Sequence, residues 1–232
     1  WAGLCMGLTV ASILLIFIMK RSAFGVRFAP LIPFQKILAA HSFTWLGIQT
    51  MFVYMFAYVQ QKIEGLSANQ MGQVVSISFL LFNAIAAILP ATVLQPLALK
   101  IGRVKTHLLC IGIMAIGYAG IWLFGHSVNL IYLLMCVVGI GWAATVSLPF
   151  AIMSQTIDQS RMGMFMGLFN LSVVLPQLVA SLGVGEAVSA AQDKGLIFII
   201  CAISLAISAI LWLFIKDSQA EVDTKGVTPV GH

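Results

Sequence analysis

Long uncharged apolar segments recur along this chain, and they restrict its possible folds more than any other feature. The stretch RMGMFMGLFNLSVVLPQLVASLGVG, residues 161–185, has a single charged residue, Arg161, at its start. Its apolar residues do not alternate as they would in a strand, and the run is longer than a buried helix of a soluble core requires. A helix needs about 20 apolar residues to cross a bilayer. The segment is therefore predicted to span a membrane.

Composition supports this interpretation, because only 8% of the residues are charged and 61% are hydrophobic. A soluble domain has about 25% charged residues, which it needs for its exterior. Strands of about 9–11 alternating residues, as in a membrane barrel, are not seen. The predicted fold class is an all-α integral membrane protein with seven transmembrane helices, at about 1–19, 37–60, 72–98, 107–125, 128–153, 162–184 and 195–215.

Basic residues are distributed unevenly between the two predicted sides of the membrane. All but two of the 12 Lys and Arg residues lie in the connections 20–36, 99–106 and 154–161 or in the C-terminal tail, and the exceptions are Lys62 and Lys194. The positive-inside rule then places the C-terminus in the cytoplasm. We expect the protein to lie in the lipid bilayer of a cell membrane, such as the bacterial inner membrane. No aromatic-interleaved basic patch points to a nucleic-acid partner.

The predicted domain organisation follows from the spacing of the spans. Residues 1–19 form one helix, 20–36 a basic cytoplasmic linker, 37–216 a six-helix bundle, and 217–232 a disordered cytoplasmic tail. Because the chain is apolar from Trp1 onward, we expect it to continue a longer protein. Six helices are the size of one half of a twelve-helix transporter built from two related bundles.

The sequence offers no support for an enzyme. No nucleophile, metal-ligand or phosphate-loop motif occurs, and no cofactor or metal site is predicted. The acidic residues and histidines all fall near span ends or in loops. Since proton relays in membranes need an ionisable group at depth, the main coupling acid is expected outside 37–216, with His41 and Glu64 as weaker alternatives.

The spans do contain uncharged hydrogen-bonding side chains. Facing lipid would be costly for such groups, so they are expected to point into the bundle or a wet cavity. Amides, hydroxyls and aromatic rings suit a neutral sugar, although polar groups also bridge helices without binding anything. The predicted binding residues are Gln49, Thr50, Tyr54, Asn83, Trp142, Thr145, Asn170 and Gln177.

Small residues, prolines and one basic turn complete the pattern. Gly163 and Gly167 form a GxxxG pair, which we expect to pack against the preceding helix beside Gly139 and Gly141. Pro176 is expected to bend its helix. The turn KIGRVKTH is interpreted as a conformational loop formed by Gly102, Arg103 and Lys105, whose charges would pair with an acid from elsewhere in the chain.

These residues carry a resemblance to known transporters. LALKIGRVKTHLL is similar to the loop between helices 8 and 9 of the major facilitator superfamily. GIGWAATVSLPFAIMS (139–154), followed by RMGMFMGLFNLSVVLPQLVASLG (161–183), resembles the sucrose/proton symporters of plants and their animal and bacterial relatives of the solute carrier 45 type. The plant and animal members of this family carry an aspartate toward the outer end of helix 7, where this chain reads MFVYMFAYVQQKIEG.

The resemblance implies the C-terminal half of a twelve-helix fold, with residues 1–19 as helix 6 and the partner N-terminal half elsewhere. It implies sugar:proton symport of a disaccharide or glucoside by alternating access, with H⁺ as the coupling cation. Three alternatives remain open: a cation symporter of the glycoside–pentoside–hexuronide type, a transporter of a non-sugar solute, and a membrane scaffold that transports nothing.

Overall fold

The computed structural model of the protein describes residues 31–217, and this part of the chain is helical without any strand. The predicted span 1–19, most of the linker and the tail from residue 218 lie outside the described residues. Six helices follow one another: α1 (Ile32–Lys62), α2 (Ala68–Ile101), α3 (Arg103–Phe124), α4 (Val128–Thr156), α5 (Gln159–Ala190) and α6 (Leu196–Trp212).

Four of these helices, α2 to α5, are long and apolar enough to cross a membrane. The helix α6 is apolar but shorter, and α1 has 31 residues with more polar side chains among them. The all-helical membrane class predicted from the sequence is confirmed, and each of the six later spans corresponds to a helix. The total of seven stays a prediction.

The six helices alternate in direction, so their ends form two groups. We call the end with Lys36, Lys100, Arg103, Lys105, Arg161 and Lys216 the basic end, and the opposite one the far end. At the far end Ser67 caps α2, since its hydroxyl accepts from the Gln70 amide while the Gln70 side chain accepts from the Ser67 amide at 2.8 Å. This capping box satisfies two N–H groups that a helix start leaves free.

The helix α1 lies at the centre of the bundle. It packs against α6 and α5, and less extensively against α2 and α4. A side chain at Gly47 would collide with Leu205, so α1 and α6 approach closely there. Near the same contact the Ser208 hydroxyl donates to the Ala40 carbonyl at 2.7 Å and lies 2.7 Å from the Thr44 hydroxyl. Small residues and hydroxyls thus hold α6 to the central helix, as is common between helices in membranes.

The predicted packing of α4 against α5 is wrong. A Cβ on Gly139 would lie 2.9 Å from the Phe82 carbonyl of α2, and one on Gly141 would meet Met114 of α3. A Cβ on Gly163 or Gly167 would have no neighbour within 4 Å. The reason is that α5 packs on α1, which separates it from α4.

Both α2 and α5 contain a wider, π-helical turn. In α2 it spans Pro90–Leu94, toward the basic end, and in α5 it spans Val179–Val184, toward the far end. The second follows Pro176, where the sequence predicted a bend. Such turns are frequent at functional sites, and proline favours them because it lacks an N–H for the α-helical ladder.

The predicted conformational loop is a one-residue turn between α2 and α3. Gly102 separates the two helices with φ 89° and ψ 156°, Arg103 begins α3, and Lys105 is exposed. An acid from elsewhere does reach this turn: the Asp217 carboxylate, which follows α6, accepts from the Val104 amide at 3.2 Å. A carboxylate at a helix N-terminus is favoured by the free N–H groups and the helix dipole.

Gly102→Ala is expected to destabilise the protein by about 1–3 kcal/mol, because the backbone conformation at Gly102 is nearly restricted to glycine. The new methyl would also collide with the Asp217 carboxylate that caps α3. Thermal unfolding in detergent would measure the change. Gly65→Ala is the matched control, since Gly65 also has a positive φ but open space around it. A loss for Gly102→Ala no larger than for Gly65→Ala would show that the contact with Asp217 contributes nothing.

Candidate functional site

Several of the predicted binding residues lie near the middle of their helices. Trp142 is the central residue of the 29 in α4. Asn83 lies within about two residues of the centre of α2, and Gln49 lies about two residues beyond Gly47, the centre of α1. At a rise of about 1.5 Å per residue, all three are within about 5 Å of their helix midpoints. In transporters built from helix bundles, solutes bind near this depth.

Trp142 and Asn83 are joined directly across α2 and α4. The indole Nε1–H donates to the Asn83 carbonyl oxygen, with 3.2 Å between Nε1 and Oδ1. The Asn83 amide nitrogen donates to the Phe79 carbonyl of its own helix at 2.8 Å. Because both ends of this amide are engaged, the orientation of the indole is fixed.

Aromatic rings from α1 and from α2 itself surround this pair. The Trp142 ring is stacked on Phe82 at 5.4 Å, and Trp45 and Phe52 of α1 meet it edge-on at 5.7 and 5.6 Å. We call Trp45, Phe52, Phe82, Asn83 and Trp142 the midpoint cluster. Stacked and edge-on pairs at these distances are mutually favourable, which makes the cluster a rigid surface.

From the midpoint cluster the aromatic contacts continue toward the basic end. The Trp45 Nε1–H donates to His41 Nε2 at 2.9 Å. The His41 ring is stacked on Phe169 of α5, with 4.8 Å between centroids and 13° between planes. Closer still to the basic end, Phe34 of α1 meets Phe165 of α5 edge-on at 5.0 Å. Aromatic pairs thus join α1 to α5 along the half of the bundle at the basic end.

The predicted hydroxyl residues are engaged with backbone carbonyls. Thr50 donates to Leu46 at 2.7 Å and Thr145 to Gly141 at 2.8 Å, each within its own helix, and both side chains are buried. The Tyr54 hydroxyl lies closer to the far end and donates to Ala180 at 3.0 Å, within the wider turn of α5. The structure therefore places these three hydroxyls in contacts that stabilise helices.

The predicted amides on α5 lie outside the buried stripe of that helix. Asn170 is exposed and Gln177 is half-buried, and both lie beside the stripe of α5 that faces α1. Gln49 is half-buried on α1. Within residues 31–217, none of these three amides hydrogen-bonds another residue, so they keep their full capacity for an outside partner.

At the far end, polar contacts hold α1 to the connection between α5 and α6. Lys62 forms an ion pair with Asp193 at 2.6 Å, and the Gln61 amide donates to the Gln192 carbonyl at 2.7 Å. The hydrogen bond from Lys62, and then that from the Gly195 amide, lower the pKa of the Asp193 carboxyl below its ordinary value. Asp193 is 65% exposed, so its ion pair with Lys62 lies in water and contributes little to stability.

Sequence reasoning identified Asn83 and Trp142 but missed most of the rings around them. Trp45, Phe52, Phe82 and Phe169 are ordinary apolar residues of membrane helices, and nothing in their local sequence separates them from lipid-facing aromatics. One usable signal was the spacing of Trp45 and Phe52, which at i and i+7 share a face of α1.

The chemistry available at the midpoint cluster is uncharged. The Lys, Arg, Asp and Glu side chains of residues 31–217 all lie near helix ends or in connections. The cluster offers aromatic rings for apolar contact and the Asn83 amide, while the amides of Gln49, Asn170 and Gln177 lie outside it on α1 and α5. This combination suits a neutral molecule with hydroxyl or carbonyl groups and an apolar face, and it offers no counter-charge to an ion.

Comparison with known proteins gives the same kind of fold. The sequence model of one family, described as Major Facilitator Superfamily, matches residues 4–181. Among solved structures, "In meso crystal structure of the POT family transporter PepTSo" is similar with a TM-score of 0.69 and 17% identity, over 78% of this chain and 36% of that chain. "Crystal structure of auto inhibited POT family peptide transporter" is similar with a TM-score of 0.63 and 16% identity, over the same shares. The chain thus spans about a third of the length of the transporters it matches.

Proposed function

Because this chain belongs to the major facilitator superfamily, we propose that it forms the C-terminal six-helix half of a secondary transporter for a small neutral solute, a disaccharide or glucoside in the first place. Transport would occur by alternating access, with H⁺ as the coupling cation and the N-terminal half as the partner bundle. In this proposal the chain is a membrane component and performs no chemical conversion.

The observation that carries this proposal is the midpoint cluster. Its rings present a preorganised aromatic surface at the depth where transporters bind solutes. The C–H groups of a sugar ring can lie against the negative face of an aromatic ring, while the hydroxyls exchange hydrogen bonds with amides. Asn170 of α5 has an exposed amide that such hydroxyls could reach.

In this proposal the acid that couples transport to protons lies outside the described helices. The described helices have no carboxylate near their midpoints, because Glu186 lies close to the far end of α5 and the other acids are in connections. An acid at depth would therefore have to come from residues outside 31–217. The described half would then contact the solute, and the N-terminal half would supply the acid that binds the coupling proton.

A peptide is the second candidate solute, because the titles of the two similar structures name a POT family transporter and a peptide transporter. A peptide zwitterion carries two charges that need counter-charges in a dry site. The midpoint cluster has none, so a peptide would depend on charged groups outside the described residues. The geometry of residues 31–217 therefore favours the neutral solute.

Uptake into proteoliposomes tests the proposal with the full protein as the cell makes it. Labelled maltose, sucrose and dialanine would be offered separately, with and without an inward proton gradient. We expect uptake of maltose or sucrose that the gradient accelerates and that a protonophore reduces to the gradient-free rate. If dialanine accumulates and neither sugar does, the solute of the proposal becomes a peptide. If folded protein takes up none of the three solutes, the proposal is overturned for them.

A further inference from the structure

His41 is a buried polar side chain beside the midpoint cluster, and only one of its two ring nitrogens is hydrogen-bonded within residues 31–217. Its side chain is 2% exposed, it lies one helical turn from Trp45, and Phe169 covers one face of its ring. Its Nε2 atom is engaged, but its Nδ1 atom has no hydrogen-bond partner within residues 31–217. Buried polar atoms without a partner are rare, because leaving one unpaired costs about 1–3 kcal/mol.

The hydrogen bond from Trp45 determines which ring nitrogen carries the proton. An indole N–H can only donate, so His41 Nε2 must accept and cannot hold a hydrogen. In the neutral imidazole the proton then lies on Nδ1. The unpaired atom is therefore a donor with a fixed position.

We propose that His41 is a solute-binding residue, whose Nδ1–H donates to a hydroxyl or carbonyl oxygen of the solute when the bundle opens beside the edge of the ring. This inference rests on the proposed function, and it names a contact at the basic end of the same site. Trp45 links the two places, since it touches Trp142 with its ring and holds His41 with its N–H. A solute leaving the midpoint cluster toward the basic end would meet this donor next.

Two substitutions separate the donor from the acceptor of this histidine. In His41→Asn the amide nitrogen takes the place of Nδ1, so the donor is retained and the acceptor for Trp45 is lost. In His41→Gln the amide oxygen reaches the place of Nε2, so Trp45 keeps its acceptor and the donor at Nδ1 is lost. His126→Gln is the control, because His126 is exposed in the connection between α3 and α4.

We expect His41→Gln to raise the KM for uptake of the transported sugar roughly two- to tenfold, the loss of one neutral hydrogen bond, with an unchanged unfolding temperature. His41→Asn should keep KM within about twofold and lower the unfolding temperature, because the Trp45 N–H loses its partner. Equal KM effects in the two variants, the reverse pattern, or an effect of His41→Gln on stability alone would overturn the proposal.

Failure of the proposed function is recognisable separately. If the unmodified protein takes up neither maltose, sucrose nor dialanine, the transport proposal fails for those solutes, and the solute-binding role of His41 fails with it. If the unmodified protein transports a sugar and both variants match it, only the role of His41 fails. Nitrogen-15 NMR of histidine-labelled protein reads the tautomer directly, and a signal of His41 with the proton on Nε2 would contradict the donor assignment.

Discussion

Trp142→Ala is expected to reduce sugar uptake at low solute concentration about tenfold or more while the protein still reaches the membrane. The indole contacts rings from α1 and α2 and donates to Asn83, so its removal leaves a cavity at the midpoint and an unpaired Asn83 carbonyl oxygen beside it. Truncating a well-packed Trp to Ala costs about 3–5 kcal/mol in protein cores. Uptake in proteoliposomes, normalised to folded protein by gel filtration, measures the effect.

Two further variants show which property of Trp142 matters. Trp142→Phe keeps a ring against Phe82 but loses the N–H to Asn83, and we expect a smaller, two- to tenfold reduction, the size of one hydrogen bond. Trp122→Ala is the control, because Trp122 is 40% exposed near the far end of α3. If Trp142→Ala took up sugar at the wild-type rate, the midpoint cluster could not lie on the path of the solute.

Gly139→Val is expected to lower both stability and uptake, since it forces α2 away from α4. The first added carbon would lie 2.9 Å from the Phe82 carbonyl and 2.9 Å from the Ile85 Cβ, closer than such atoms approach. A backbone carbonyl cannot turn aside as a flexible side chain can, so the helix itself must shift. Overpacking of this kind costs about 1–3 kcal/mol, or several degrees of unfolding temperature for a protein of this size.

The same shift should disturb the stacking of Phe82 on Trp142, which links packing to solute affinity. Unfolding temperature in detergent and the KM for uptake would be measured together. Gly112→Val is the matched control on α3, where a side chain meets nothing within 4 Å, so its unfolding temperature should not fall and its KM should not rise. If Gly139→Val were as stable as Gly112→Val, the close approach of α2 and α4 would be disproved.

The helices could be predicted from the sequence because bilayer thickness imposes a length on every apolar run. Side-chain partners were harder to predict, because they depend on which helices are neighbours. Gly163 and Gly167 illustrate this: the GxxxG spacing was recognised, but neither glycine contacts another helix within residues 31–217, since α5 packs on α1 through a different face. Small residues indicate that close contact is possible and do not identify the helix that makes it.

The candidate site shows the same limit. Asn83 and Trp142 were predicted separately as inward-facing groups, because polar atoms are costly in lipid. That each is the partner of the other follows from the packing of α2 directly beside α4, which brings their midpoints together. Thr145 and Thr50 satisfied the same sequence criterion, but a hydroxyl can donate to a carbonyl one turn back on its own helix, as both do.

The wider turn at Val179–Val184 keeps the whole length of α5 in phase with its neighbour. A π-helical turn contains one residue more than the α-helical turn it replaces, so it rotates everything beyond it by about 100°. Without it, the buried stripe formed by Phe165, Ser172 and Pro176 would drift out of line before reaching Val188, which is also buried. The extra residue acts as a register correction, and so α5 remains sensitive to insertions or deletions elsewhere along its length.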